Sequence, residues 1–287
     1  TIKRTIEQLL EEKIMSLQQA QTMFQPALPE PIYVLGVRVD RVGQQQALDV
    51  IEQMIARRRA SSNQTTCQQV ITVNPEFVMA AQRNENFRIA INEAALVLAD
   101  GMGVVWAARY LGQPVPERVT GTDTLPLLAQ RCATAGYRLY LLGAAPGVAE
   151  LAAERLRQLA PGVEIAGTYA GSPASEEEEA IIERVREAEA DVLCVAYGAP
   201  AQDLWIKRNL ERLPIAVAMG VGGAYDFLSG RQLRAPERMR RMGLEWLYRL
   251  YREPWRWRRM LALPKFALQV MVRGRKGGQE RKRMERS

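Results

Sequence analysis

The chain has 287 residues, 39 Lys+Arg against 32 Asp+Glu, a formal charge of +7 and no histidine. Its length accommodates one large or two smaller α/β domains of enzyme size, while the absence of histidine excludes Ser-His triads, imidazole bases and His-based metal sites. Three cysteines, Cys67, Cys132 and Cys194, have neither disulfide nor zinc spacing and fit a reducing cytosolic compartment.

Residues 231–287 hold 18 Lys+Arg and 5 Asp+Glu, the remainder 21 and 27. A mildly acidic body with a strongly basic tail points to a polyanionic partner, either phosphates or an anionic membrane face. No apolar run approaches the roughly 20 residues that span a bilayer, and the N-terminus lacks the apolar core of a signal peptide. A soluble or peripheral protein is expected.

In residues 1–23, Ile2, Ile6, Leu9, Leu10, Ile14 and Leu17 have the spacing of an amphipathic helix, followed by a proline-rich linker. Tyr33–Val39 alternates as an edge strand or hairpin, and Gln44–Arg59 is helical. Val70, Ile71 and Val73 suit a buried strand, Asn74 stands where an N-cap belongs, and Pro75 suits a first helical turn. A helix over about 76–93 then leads to a strand at 95–99. That strand runs into Asp100-Gly101-Met102-Gly103, where a carboxylate beside two glycines lies at the strand end at which open α/β sheets bind ligands. Asp100 is therefore the first candidate for chemistry; capping of the next helix satisfies its spacing equally.

Beyond it the pattern gives helices at about 102–111 and 122–135, a strand at 137–143, a helix at 147–159, a strand at 163–168, a helix at 174–189, a strand at 191–197, a helix at 200–212 and a strand at 214–219. The alternation implies a Rossmann-like parallel sheet flanked by helices on both faces. Three divisions follow: 1–30, helix and linker; 31–230, the α/β body; 231–287, a basic amphipathic helical appendage.

Several polar residues stand out. The turn Gly143–Gly147 suits a phosphate or a ligand-free βα turn. A strand ending at Tyr197-Gly198, with Gln202 in the next helical turn, lets backbone approach a ligand. Arg118 lies in a loop rich in hydroxyls. There is no Asp-x-Asp pair to hold a divalent metal on a nucleotide diphosphate, so no metal and no cofactor are expected, and cationic side chains and backbone amides must carry any diphosphate charge. In the tail, Arg238, Arg241, Arg249, Arg252, Arg256 and Arg259 keep one helical stripe, near Trp246, Trp255 and Trp257. Such a segment suits an interfacial helix on anionic lipid, or a solvated surface helix pair. No nucleic-acid motif accompanies it.

The motifs Thr72-Val-Asn74-Pro-Glu, Leu98-Ala-Asp100-Gly-Met-Gly103, Arg118-Val-Thr-Gly-Thr-Asp123, Tyr197-Gly-Ala-Pro-Ala-Gln202, Gly220-Val-Gly-Gly-Ala-Tyr-Asp226, and Ala235-Pro-Glu-Arg through Glu245-Trp-Leu-Tyr-Arg249 to Glu253-Pro-Trp-Arg256 resemble, in this order over roughly residues 33–273, the WecG/TagA/CpsF glycosyltransferases, the inverting family 26. The resemblance implies a metal-independent transferase that moves a sugar from a UDP-sugar donor to an undecaprenyl-diphosphate-linked acceptor at the cytoplasmic face of the membrane. In one branch N-acetylmannosamine goes to lipid-linked N-acetylglucosamine on the way to teichoic acid; other branches use a hexose or N-acetylmannosaminuronic acid donor for surface polysaccharides. By motif, Asp100 matches the base and Thr72 stands with it as catalytic. Asn74, Arg118, Gln202, Tyr197, Gly222 and Asp226 fall among the substrate-binding positions, and Arg249, Arg256 and Arg259 close over the diphosphate. The N-terminal helix departs from short family members and leaves a homo-oligomer contact open. A non-catalytic membrane or nucleic-acid adaptor, with only the tail functional, is the rival of another class. A nicotinamide dehydrogenase is weakened by the missing glycine fingerprint.

Overall fold

The structure, a computed structural model, describes residues 28–61 and 66–284, with backbone alone for Arg241, Arg256 and 274–284. The amphipathic pattern of residues 1–23 lies outside the described residues.

Strands β1 (Ile32–Val34) and β2 (Val37–Val39) form an antiparallel hairpin. Leu35 and Gly36 turn it with φ of 53° and 80°, the paired left-handed geometry that suits a two-residue hairpin loop. Buried Asp40 joins this hairpin to the main sheet: its carboxylate accepts from the Val97 amide at 2.8 Å and from Arg38 at 3.0 and 3.1 Å. Helix α1 (Gln44–Ala60) follows.

The main sheet holds six parallel strands: β3 (Gln68–Val73), β4 (Leu96–Ala99), β5 (Arg138–Gly143), β6 (Glu164–Tyr169), β7 (Val192–Ala196) and β8 (Val217–Gly220). Their spatial order is β4-β3-β8-β7-β5-β6. The chain first steps outward from β3 to β4, then crosses to β5 and returns through β7 to β8, which docks against β3. Strand ends β3, β4 and β8 are thus brought together from distant parts of the sequence, and a parallel sheet gathers ligand-binding loops at such carboxyl ends.

The sheet's alternating residues divide the core. Val70, Leu96, Leu98, Leu139, Leu141, Cys194 and Met219 face α1, α5 (Gly121–Ala135), α6 (Val148–Leu159) and α9 (Ala224–Leu228). On the other face, Ile71, Val73, Val97 and Ala99 pack with α2 (Pro75–Ala81), α3 (Glu85–Asn92) and α4 (Met102–Tyr110). Leu142, Leu193, Val195 and Ala218 meet α7 (Glu178–Glu187) and α8 (Ala201–Asn209). Near-continuous apolar strands follow from burial on both faces.

The helix expected over about 76–93 is two helices. Asn84 accepts from the Phe87 amide at 3.0 Å, restarting the helix after a break, as an N-cap does. The basic tail forms α10 (Glu237–Arg241), α11 (Glu245–Arg252), a 3-10 turn (Pro254–Arg256), α12 (Trp257–Met260) and α13 (Ala262–Met284). Helix α13 packs against α2 and α4. Phe266 and Val270, both buried, place it in the same core as Ile71 and Val73. No described helix is long and apolar enough to cross a membrane.

Candidate active site

A cavity of about 620 Å³ opens above the carboxyl ends of β3 and β4, beneath the C-terminal helices. Its polar floor is set by two adjoining turns. At the first, Asn74 is the N-cap of α2: Oδ1 accepts from the amides of Glu76 at 2.9 Å and Phe77 at 3.1 Å. At the second, the Asp100 amide donates to the Val73 carbonyl at 2.8 Å, extending the β3–β4 pairing by one residue and setting Asp100 beside Asn74. The two glycines after it permit this approach. Gly101 has φ of 121°, and a Cβ on Gly103 would fall 2.6 Å from the Pro75 ring; any side chain there would drive the turns apart.

Asp100 does not cap α4, whose N-cap is Gly101. No hydrogen bond reaches the Asp100 carboxylate among the described residues. Burial pushes its pKa up to about 6, against the pull of Arg118 and Arg249, with Glu245 and Asp123 adding to the rise. Asp123 is the opposite case. Burial would raise it too, but hydrogen bonds from Arg234 and Thr120 hold it below the usual carboxylate range. Asp100 on the cavity floor, pushed toward its neutral form, and Asp123 behind the lining Arg234, held as an anion, show the separation of carboxylate environments that acid-base chemistry uses.

The cations come from both body and tail. Arg118 donates to Glu245 of α11 at 3.1 Å and stands 3.8 Å from Asp123. Arg234 binds Asp123 at 2.6 and 3.2 Å. Arg249 lies over the Phe227 ring at 4.7 Å. Thr120 caps α5 through the Asp123 amide at 3.0 Å, so the Thr120–Asp123 stretch both starts the helix and anchors Arg234. The opposite wall is apolar, built from Met102, Trp106, Trp246, Leu263 and Phe266.

Of the residues singled out from sequence, the cavity unites Asn74, Asp100, Arg118 and Arg249. Thr72 is buried behind that floor, against Gly121 at the start of α5. Gln202 is also buried, and its Oε1 accepts from the amides of Gly198 and Gly222 at 3.1 Å each, tying the loops after β7 and β8 together. Tyr197 packs edge-on to Trp205, and its hydroxyl has no hydrogen-bond partner among the described residues. Asp226, half-buried, lies on α9. Arg259 pairs with Glu76 at 2.7 Å and lines a neighbouring cavity. Arg256 belongs to the 3-10 turn, and its side chain lies outside the described residues. Arg234, Thr120 and Glu245 line the cavity without having been singled out. The signal available for Arg234 was its place in the basic tail, and for Glu245 its place in the run Glu245–Arg249.

The model for the glycosyl transferase WecG/TagA/CpsF family matches residues 32–280. The N-acetylglucosaminyldiphosphoundecaprenol N-acetyl-beta-D-mannosaminyltransferase of Bacillus spizizenii is 35% identical over 202 residues, covering 70% of this chain and 78% of that protein. The protein of the same name from Staphylococcus aureus strain MW2 is 30% identical over 243 residues, covering 85% of this chain and 93% of the relative. The match runs through both the strand-end turns and the C-terminal helices that together enclose the cavity, and the chain belongs to the WecG/TagA/CpsF family of glycosyl transferases.

Proposed function

We propose that the protein transfers N-acetylmannosamine, with inversion, from a UDP-sugar to N-acetylglucosamine carried on undecaprenyl diphosphate, in the synthesis of teichoic acid or a related surface polysaccharide. The relatives' names supply the acceptor and the sugar; the nucleotide and the stereochemical course follow from the family resemblance. The observation that carries the chemistry is the Asp100 carboxylate, with no hydrogen bond to it among the described residues, in a cavity lined by Arg118, Arg234 and Arg249.

In this reading Asp100 takes the proton of the acceptor hydroxyl as its oxygen attacks the anomeric carbon. The bond to the β-phosphate oxygen breaks, and the electron pair leaves with UDP. Charge grows on that leaving diphosphate, where guanidinium groups already fixed by Asp123 and Glu245 stabilise it without reorganising. Asn74, Thr72, Gln202, Tyr197, Gly222 and Asp226 shape the strand-end loops around the donor, with Gln202 acting through Gly198 and Gly222. The apolar wall and exposed Trp255 and Trp257 suit an acceptor presented at a bilayer surface, with the protein peripheral on its cytoplasmic face.

The test is transfer measured with UDP-N-acetylmannosamine and an N-acetylglucosaminyl-diphosphate-lipid, with other UDP-sugars as parallel arms. Formation of the disaccharide-lipid with release of UDP is expected. Release from a UDP-hexose alone would move the chain to another donor, and no transfer from any donor would refute the proposal.

A further inference from the structure

A second cavity, of about 260 Å³, lies beside the first and is lined by Glu76, Met79, Arg83, Arg258, Arg259 and Lys265, among others. Glu76, which also lines the first cavity, is its one carboxylate among the described residues, and Arg259 already holds it through Nε at 2.9 Å and a terminal nitrogen at 2.7 Å. Arg83, Arg258 and Lys265 have no ion-pair partner among the described residues; Arg258 rests over the Trp257 ring at 5.5 Å. Three uncompensated cations around one concavity repel one another and favour an anion between them. Nothing in the transfer chemistry uses them.

The surroundings indicate which anion. Lys265 shares a stripe of α13 with Leu268 and Val272, in line with Leu261 just before the helix. These three apolar residues are 46, 59 and 52% exposed, and Trp255 and Trp257 nearby are 71 and 53% exposed. A cation set within an exposed apolar stripe places a charge at headgroup level while its neighbours meet acyl chains. Arg83 comes from the segment joining α2 to α3, whereas Arg258 and Lys265 come from the C-terminal helices.

We propose that this cavity binds the phosphate of an anionic phospholipid headgroup. The phosphate bridges Arg83 on the body to Arg258 and Lys265 on the C-terminal segment, separately from the transfer site. The inference rests on the reading that the acceptor is membrane-borne, and it adds a lipid site distinct from the acceptor.

Vesicle co-sedimentation of the full chain tests it, with phosphatidylcholine alone and with phosphatidylglycerol added. The wild-type protein should favour the anionic vesicles. Removing a cation near such a surface costs about fivefold in binding, so the double variant Arg83→Ala/Lys265→Ala should lose roughly 30-fold, while Arg231→Ala/Arg238→Ala, an equal charge change outside the cavity, should lose far less. Equal losses in the two variants would show a diffuse charge effect and overturn the site, as would wild-type binding by the cavity variant. Protection of Lys265 from an amine-acylating reagent by inorganic phosphate, but not by phosphatidylglycerol vesicles, would assign a free phosphate instead and also overturn it. Transfer to a water-soluble acceptor should persist in the cavity variant. Its absence in the wild type would count against the transferase reading and leave the vesicle results to stand or fall by themselves.

Discussion

Replacing Asp100 by Asn should separate catalysis from stability in opposite directions. The carboxyl is held at a pKa of about 6 against 3.8 for an ordinary aspartate, chiefly because burial disfavours its charge. A folded-state pKa above the unfolded one means that the native state favours the protonated form. The contribution of Asp100 to stability is therefore fully present below pH 3.8 and lost as pH rises through about 6. About two pKa units correspond to roughly 3 kcal/mol of native-state destabilisation at neutral pH, a ceiling because the amide must also be desolvated. With about 2–4 °C per kcal/mol for a chain of this class, Asp100→Asn should melt several degrees higher than wild type at pH 7.5, and the two should converge near pH 4. Transfer should fall by about 10²–10⁴-fold, the usual contribution of a positioned base. Thermal scans across pH and a disaccharide-lipid assay measure both. A variant that melts lower at pH 7.5, or turns over within a few-fold of wild type, would refute the argument that a carboxylate desolvated beyond what its neighbouring arginines offset is kept there for proton transfer.

The wild-type kcat/KM should decline with a slope of one as pH falls below about 6, because the protonated Asp100 cannot accept the acceptor's proton; a flat profile down to pH 5 would remove Asp100 as base. Arg118→Ala should lower kcat by about 10²–10³-fold, as the loss of a preorganised charge stabiliser does, with the melting temperature showing whether the lost Glu245 contact matters separately. EDTA should leave transfer unchanged, since the proposed mechanism gives the diphosphate charge to guanidinium groups; loss restored by Mg²⁺ or Mn²⁺ would contradict this. Phe266→Ala should cost about 3–5 kcal/mol in a chemical denaturation series, because the ring is buried between α13 and the body, and it should reduce transfer as the cavity wall loosens; an unchanged midpoint would mean that α13 is not anchored there.

The sequence by itself determined what depends on neighbours along the chain. Alternating strand and helix patterns implied the parallel sheet, Asn74-Pro75 marked a helix start, and Asp100-Gly101-Met102-Gly103 marked a polar strand end beside tight turns. These are short-range matters of capping, φ and apolar period, so they can be read locally. The match of Arg234 to Asp123, the match of Arg118 to Glu245 and the entry of Phe266 into the core that holds Ile71 were decided only in three dimensions. Each joins residues more than a hundred positions apart, and pairing at that range depends on the order β4-β3-β8-β7-β5-β6, which no periodicity encodes. The same holds for Gln202, which the family motif places among the substrate-binding positions: only the fold shows it buried beneath the loops after β7 and β8, its side-chain carbonyl accepting from the Gly198 and Gly222 amides. The tail's charge was plain in its composition; how its arginines divide between two cavities was set by how α11, α12 and α13 fold back over the strand ends.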